Sequence, residues 1–280
     1  MLREKAYAKI NLSIDVLNKR PDGYHNVSMI MQKVNLYDEI KISLYGDSLM
    51  LSSNVPHLPR GRANLVFRAA SLFMEHFHIG GGVYIFINKK IPIGAGLAGG
   101  SADAAATLIG LNKIFKTNLS VDELCQMGEK LGADVPFCIK GKTSLAEGIG
   151  EKLTPLPPLP PCFILLAKPN FSISTKWVYQ NLNVSNIKNR PDNAKIIEAL
   201  GEKSLEKMVP YMYNVLEEVS AKKYPQINQI KAKMIEHGAI VSMMSGSGPT
   251  VFGIFTDIER AQKCKFELSK ENSTFLTKPL

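Results

Sequence analysis

Ile91-Pro92-Ile93-Gly94-Ala95-Gly96-Leu97-Ala98-Gly99-Gly100-Ser101 is the stretch on which the reading of this chain turns. Four glycines fall within seven positions, between the apolar run Val83 to Ile87, which reads as a strand, and the alanine-rich run Ser101 to Phe115, which reads as a helix. Glycines let a backbone pass close to phosphate oxygens, successive N–H groups can point into one concavity, and the start of the helix adds its positive dipole end. Pro92 to Ala102 is therefore read as an anion cradle, with Gly99 bare because a β-branched side chain there would occupy the space a phosphate must enter. A plain strand-to-helix turn needs fewer glycines than this.

Two other phosphate-loop signatures are excluded. Gly94, Gly96 and Gly99 have the GxGxxG spacing, but a dinucleotide-binding unit would continue into a second strand ending in an acid about 20 residues on. Here Ile114 to Leu119 runs into another helix. Gly141-Lys142-Thr143 resembles the end of a Walker A loop, yet Pro136 stands where the first glycine of that loop belongs.

Working outward, the pattern is α plus β throughout. Strand periodicity marks Ala6 to Val16, Glu39 to Leu44, Phe163 to Ala167, Ala239 to Met244 and Val251 to Phe255. Helical periodicity marks Asn64 to His76, Ser120 to Leu131 with a Ser120/Glu123 capping box, Thr175 to Leu182, Ala194 to Leu200 and Ile227 to His237. The proline run Pro155 to Pro161 admits neither helix nor central strand, so a domain boundary is expected there, with residues 1–158 and 159–280 on either side. A chain of 280 residues, 45% hydrophobic, is long enough for two modest cores.

Composition narrows the function. No apolar run approaches the roughly 20 residues a bilayer requires, and the charged start Met1 to Lys5 leads into patterned sequence with no signal segment, so a cytoplasmic address and no membrane partner are expected. Cys125, Cys138, Cys162 and Cys264 form no CxxC pair and read as buried reduced thiols. The net charge of +9 is scattered among acids without a basic stripe, which argues against nucleic acid and leaves an attraction for small polyanions.

Three further features carry chemistry. Along the first strand Ala6, Ala8, Ile10, Leu12, Ile14 and Val16 share one face, and the other places Lys9 and Asn11 together as a cation and an amide suited to a polar cleft. In Gly132-Ala-Asp134-Val-Pro136 a carboxylate sits in a constrained loop after a helix end. A carboxylate is a poor base for an alcohol, but in a loose phosphoryl-transfer transition state the proton leaves late and positioning matters more. The loop Ser245-Gly246-Ser247-Gly248-Pro249-Thr250 between two strand candidates is too glycine-rich for an ordinary hairpin.

The glycine loop, the early Ala8-Lys9-Ile10-Asn11 strand and the late Ser-Gly-Ser-Gly-Pro-Thr loop together resemble the three motifs of the GHMP kinases, over nearly the whole chain. With Arg20-Pro21-Asp22-Gly23-Tyr24-His25 and Gly132 to Phe137, the likeness is to the branch that phosphorylates the 2-hydroxyl of a cytidine diphosphate sugar alcohol in isoprenoid precursor synthesis. The resemblance implies an α+β, two-domain GHMP kinase fold, with an ATP-binding, ribosomal-S5-like domain followed by a ferredoxin-like, substrate-binding one. It implies ATP as phosphoryl donor with Mg²⁺, Lys9 and Asp134 as the catalytic pair, and Pro92 to Ala102 with Asn64 and Lys89 at the nucleotide. Asn11, Tyr24, His25, Tyr179, Gly246, Ser247, Gly248 and Thr250 match substrate positions, the tyrosines and histidine suiting a cytosine ring. A homoserine or mevalonate kinase would share the loops but lack the Asp-Gly-Tyr-His turn, and an RNA-binding module would have no use for Asp134.

Overall fold

The computed structural model describes all 280 residues, Met1–Leu280. In chain order its elements are β1 (Leu2–Lys19), β2 (His25–Leu44), β3 (Leu49–Ser53), α1 (Leu65–His76), β4 (Val83–Asn88), α2 (Gly99–Phe115), α3 (Val121–Glu129), α4 (Val135–Lys140), β5 (Thr143–Gly148), β6 (Lys152–Pro155) and β7 (Phe163–Pro169). There follow α5 (Thr175–Asn181), α6 (Asn193–Gly201), α7 (Leu205–Met208), α8 (Val215–Lys223), α9 (Gln226–Glu236), β8 (Val241–Met244), β9 (Val251–Phe255), α10 (Ile258–Leu268) and β10 (Asn272–Thr277).

These elements form two compact units that interleave along the chain. Met1–Ala8, Leu36–Ile91 and Ala98–Gly141 make the first; Lys9–Asn35, Pro92–Leu97 and Lys142–Leu280 make the second. The proline run, where residues 1–158 and 159–280 are expected to part, lies inside the second of these units. The prolines do end regular structure, since no strand or helix covers residues 156–162. They do not end packing: the Leu156 N–H donates to the Thr143 carbonyl at 3.0 Å and Leu159 is buried, so the run stays with the second unit.

In the first unit β3 lies parallel to β4, and β4 pairs antiparallel with the end of β2, with Leu51 opposite Ile85 and Ile42 opposite Ile85. The two-residue period puts Ile40, Ile42, Val83, Ile85 and Ile87 on one buried face. Against it pack Val66, Ala69, Ala70 and Phe73 of α1 and the small side chains Ala102, Ala105 and Ala106 of α2, with Leu124, Met127, Val135 and Cys138 of α3 and α4 closing the core. Each fully buried isoleucine contributes about 1.5–3 kcal/mol. Ser120 and Glu123 form the expected capping box.

The second unit holds the antiparallel sheet β10-β7-β9-β8. Of its two inner strands, β9 is buried along its whole length and reads accordingly as an unbroken apolar run. Met234 of α9 and Ala261, Cys264 and Leu268 of α10 supply buried side chains beside it. The unit also contains the first half of β2 paired with β5, and β5 with β6. The last residues add to this edge, the Asn35 N–H donating to the Lys278 carbonyl at 2.9 Å and the Leu280 N–H to the Lys33 carbonyl at 3.1 Å.

No helix is long and apolar enough to cross a membrane. The four cysteines are unbridged and buried, and burial pushes the Cys162 thiol up to about 12 and Cys264 to about 11, so both stay protonated at neutral pH.

The closeness of α2 to its sheet rests on Gly110, where a Cβ would stand 2.5 Å from Ile42 Cδ1 and 3.3 Å from Leu2 Cδ2. Gly110→Val gains at most about 1 kcal/mol of helix propensity but inserts a branched side chain into a filled space, which costs about 1–3 kcal/mol. The clash dominates, and urea denaturation should show a net loss of stability.

Candidate active site

The glycine loop crosses from one unit to the other at the Leu97–Ala98 bond. Its second-unit part, Pro92–Leu97, is held by backbone contacts. The Lys9 N–H donates to the Leu97 carbonyl at 3.1 Å, the Thr250 N–H to the Ala95 carbonyl at 3.4 Å and the Ser245 hydroxyl to the Gly96 carbonyl at 3.1 Å. Gly94 and Gly96 both take left-handed φ, +62° and +75°. A Cβ at Gly96 would collide with the Ser245 carbonyl, and one at Gly246 would stand 2.9 Å from the Gly96 carbonyl oxygen. The 245–250 loop thus lies directly behind the glycine loop. Ser247 and Thr250 are buried there, with the Ser247 hydroxyl 2.7 Å from that of Thr175.

The first-unit part opens α2. Ala98 precedes it in the left-handed region at φ +54°, no side chain caps the helix, and its first turn carries no acid. The N–H groups at the start of such a helix face outward beside a positive dipole end. Gly99, expected to leave room for a phosphate, is the first residue of α2. A Cβ there would point 3.0 Å from Ile91 Cγ2 and 3.1 Å from the Lys89 ammonium. A bare Gly99 thus lets the helix start close against that strand end.

Lys89 itself is buried between two carboxylates, 2.5 Å from Asp38 Oδ2 and 2.6 Å from Asp103 Oδ2. Asp38 also accepts the backbone N–H groups of Lys90 and Ile91 at 2.5 and 2.8 Å. Asp103 has a second oxygen, Oδ1, with no hydrogen-bond partner. Burial opposes the Lys89 charge, but the two carboxylates outweigh it and hold its pKa above the ordinary value. Burial pushes Asp103 well above the usual carboxylate range, the Lys89 ammonium opposes this and the Asp38 charge adds to it. Lys89, expected at the nucleotide, is thus the centre of an ion triad that ties the end of β4 to α2. Asn64, also expected there, caps α1: its Oδ1 accepts from the Val66 N–H at 2.9 Å and its Nδ2 donates to the Pro59 carbonyl at 2.8 Å.

Lys9 and Asn11 lie in the second unit on a strand buried on both faces. Lys9 is only 5% exposed, and Ala8, Ile10, Leu12, Asn11 and Ser13 are all fully buried. The polar face is therefore an interior face, where an ammonium must be matched by acceptors. Lys9 Nζ donates to Asn11 Oδ1 at 2.7 Å. Asn11 Nδ2 donates to the soft Met29 sulfur at 3.4 Å, a weak acceptor. Ser13 continues the row, its hydroxyl donating to Asn193 Oδ1 at 2.5 Å while Asn193 Nδ2 donates to the Ser28 hydroxyl at 2.9 Å.

The Asp-Gly-Tyr-His turn is rigidly built. Asp22 accepts from the Tyr24 N–H at 3.0 Å and pairs with Arg20 at 2.8 Å, the Arg20 N–H reaches the Tyr24 carbonyl at 2.8 Å, and Gly23 takes φ +86°. It presents Tyr24 to solvent at 62% exposure. His25 stands with its ring centroid 5.2 Å from that of Tyr179, at 33°. The sequence alone brought these two rings together only by resemblance; the structure places them side by side. Burial, then the Lys19 charge, lowers the His25 pKa below its ordinary value, so the ring is neutral at pH 7. Asp134, in the first unit, immediately precedes α4 and makes no capping hydrogen bond to it with its side chain.

The residues that sequence reasoning missed are Asp38, Asp103, Asn193 and Asn214. The only sequence trace of the first two is a carboxylate standing inside an apolar strand and another inside an alanine-rich helix.

The chain matches the GHMP kinases N terminal domain over residues 64–142 and the GHMP kinases C terminal domain over residues 196–274. It is similar to the 4-diphosphocytidyl-2-C-methyl-D-erythritol kinase of Lachnoclostridium phytofermentans, 47% identical over 98% of this chain and 96% of that one. To the protein of the same name from Acetivibrio thermocellus it is 51% identical over 92% and 91%. Among solved structures, a 4-(cytidine 5'-diphospho)-2C-methyl-D-erythritol kinase superposes with a TM-score of 0.86 at 31% identity, covering 100% of both chains. The homoserine kinase of Cytophaga hutchinsonii superposes at 0.76 with 19% identity over 99% and 94%, a likeness of fold alone.

The ion triad generates an asymmetric expectation. Asp38→Asn removes a charge from a carboxylate that accepts three donors and should cost about 3–5 kcal/mol, the usual result of breaking a buried pair. Asp103→Asn removes the excess negative charge and should change stability by no more than about 1 kcal/mol. Urea denaturation at pH 7.5 of the two variants compares them directly; equal losses would contradict the assignment of roles.

Proposed function

The chain belongs to the 4-diphosphocytidyl-2-C-methyl-D-erythritol kinases of the GHMP kinase family, and on that premise we propose that it transfers the γ-phosphoryl group of ATP to the 2-hydroxyl of 4-diphosphocytidyl-2-C-methyl-D-erythritol, in the non-mevalonate route to isoprenoid precursors. The observation that carries the choice of acceptor is the His25–Tyr179 ring pair, 5.2 Å between centroids, beside the exposed Tyr24. Aromatic stacking on a base contributes about 1–3 kcal/mol per ring. A neutral His25 ring offers one donor and one acceptor nitrogen to the polar edge of cytosine.

In this reading the glycine loop and the uncapped start of α2 hold the triphosphate through backbone N–H groups and the helix dipole. Lys9 places a fixed positive charge toward the transferring group, stabilising the charge that develops there. Asp134 orients the acceptor hydroxyl and takes its proton late in the transfer. No three His, Cys, Asp or Glu side chains converge on a metal cage. Mg²⁺ keeps several waters and binds chiefly through substrate phosphates, so it would arrive on ATP, and the Ser101 hydroxyl in the first turn of α2 is the protein oxygen that would join it. When bound, Mg²⁺ neutralises phosphate charge.

Incubation with Mg-ATP and a panel containing 4-diphosphocytidyl-2-C-methyl-D-erythritol, homoserine and mevalonate should add one phosphate, read by mass spectrometry, to the cytidine compound only. Asp134→Asn should lower kcat by about 10² to 10⁴ while ATP and acceptor still bind. Turnover near that of the unaltered protein would remove Asp134 from the mechanism.

His25 supplies a pH dependence. Its folded pKa is depressed, so the neutral ring is favoured and protonation is postponed to below the ordinary value of 6.5. The acceptor KM should stay flat from pH 8 to about 6.5 and rise as pH falls further, while the ATP KM does not follow it. His25→Gln should abolish the acid limb; an identical pH profile in that variant would exclude His25 from reading the base.

A further inference from the structure

We propose, on the kinase reading above, that Asn214 is a positioning residue for phosphoryl transfer, fastening the loop behind the glycine loop to the strand that carries Lys9 and Asn11. Asn214 is 1% exposed. Its Nδ2 donates to two carbonyls of the 245–250 region, Met244 at 2.7 Å and Gly246 at 2.9 Å. Its Oδ1 accepts the Leu216 N–H at 3.0 Å and caps α8. Its backbone forms a parallel bridge with Ile14 of β1, whose N–H donates to the Tyr213 carbonyl at 2.9 Å.

Two more α8 side chains on the same face continue the grip. Glu217 accepts the Met244 N–H at 2.7 Å, and the Ser220 hydroxyl donates to the Ser247 carbonyl at 3.3 Å. The loop so held hands its own hydrogen bonds to the glycine loop, from the Ser245 hydroxyl to Gly96 and from the Thr250 N–H to Ala95. Asn214 therefore adds, to the direct Lys9 N–H bond to the Leu97 carbonyl, a second tie between the Lys9 strand and the glycine loop. Only an amide of this length supplies two donors on one arm and an acceptor on the other; aspartate would face both carbonyls with a charge and no proton. Displacement of a phosphate-holding loop by even 1 Å has large kinetic consequences.

The test uses the full chain and calorimetry with a non-hydrolysable ATP analogue plus Mg²⁺ and, separately, with CMP. Asn214→Asp should weaken the analogue about tenfold and CMP by less than about twofold, because the turn that carries His25 is not touched. A role in stability alone would lower Tm and leave both dissociation constants of the folded protein unchanged, and that result overturns the proposal. Ser245→Ala, which removes a single hydroxyl downstream of Asn214, should weaken the analogue about threefold and be non-additive with Asn214→Asp. Where Asn214→Asp does not fold, an unchanged analogue affinity in Ser245→Ala overturns the proposal by itself. Absence of analogue binding in the unaltered protein, by contrast, overturns the kinase reading and this inference with it.

Discussion

The second unit depends on a backbone-to-backbone approach, that of Gly96 to the Ser245–Gly246 segment. Two chain segments about 150 residues apart in sequence come so near that neither tolerates a Cβ. Most loops keep their distance through side chains and therefore move. Here the main chain of one loop is the wall of the other, so the carbonyls of Ala95, Gly96 and Leu97 are all taken up within the protein and their peptide planes are fixed. A loop built this way is ordered before any ligand arrives, and less conformational entropy is lost on binding.

The first unit obtains the same result with charge. Asp38 gathers two backbone N–H groups and an ammonium at the end of β4, where the chain leaves the sheet. A neutral side chain would satisfy fewer of these donors, and a buried N–H without a partner costs about 1–3 kcal/mol. The lysine then needs a second carboxylate less than Asp38 needs the lysine, which explains why Asp103 carries an unpaired oxygen. Such a triad is weak evidence for net stability but fixes direction: it determines where the strand stops and the helix begins.

Elements with a strong local period were legible in the sequence. β1, α1, α2, α3 and β9 announce themselves through alternation, caps or unbroken apolar runs, and the glycine loop through its density of glycines. β2 is legible only from Glu39, because its first half carries Asn26, Ser28, Gln32 and Asn35 among its apolar residues, of which Ser28 and Gln32 bond to Asn193 and Thr143 within the protein. α4 reads as a loop from sequence; it is six residues long, too short for periodicity, and its proline sits in the first turn, where a missing N–H costs nothing. β3, β5, β6, α7, α8, α10 and β10 lie outside the sequence reading, although Asp257 capping Ile258, Ala261, Cys264 and Leu268 is a usable helix signal. Of the candidate site, Lys9, Asn11, Asp134 and the loops can be nominated from sequence because motifs are local. Asp38 and Asp103 cannot, since their meaning lies in contacts 51 and 14 residues away from Lys89. Asn214 is likewise silent until the fold brings residue 246 to it.

The interleaving of the units has a consequence for synthesis. Residues 9–35 belong to a unit whose remaining strands come from residues 142–280, and Lys33 and Asn35 bond to Leu280 and Lys278. At about 5–20 residues per second, a ribosome needs on the order of tens of seconds to deliver those partners after residue 35 has emerged. Through that interval an apolar, β-prone segment waits with open edges, the condition under which chains pair with the wrong neighbour. The polar residues that obscured β2 in the sequence, Asn26, Ser28, Gln32, Lys33 and Asn35, lie in that waiting segment and keep it less adhesive while it is alone.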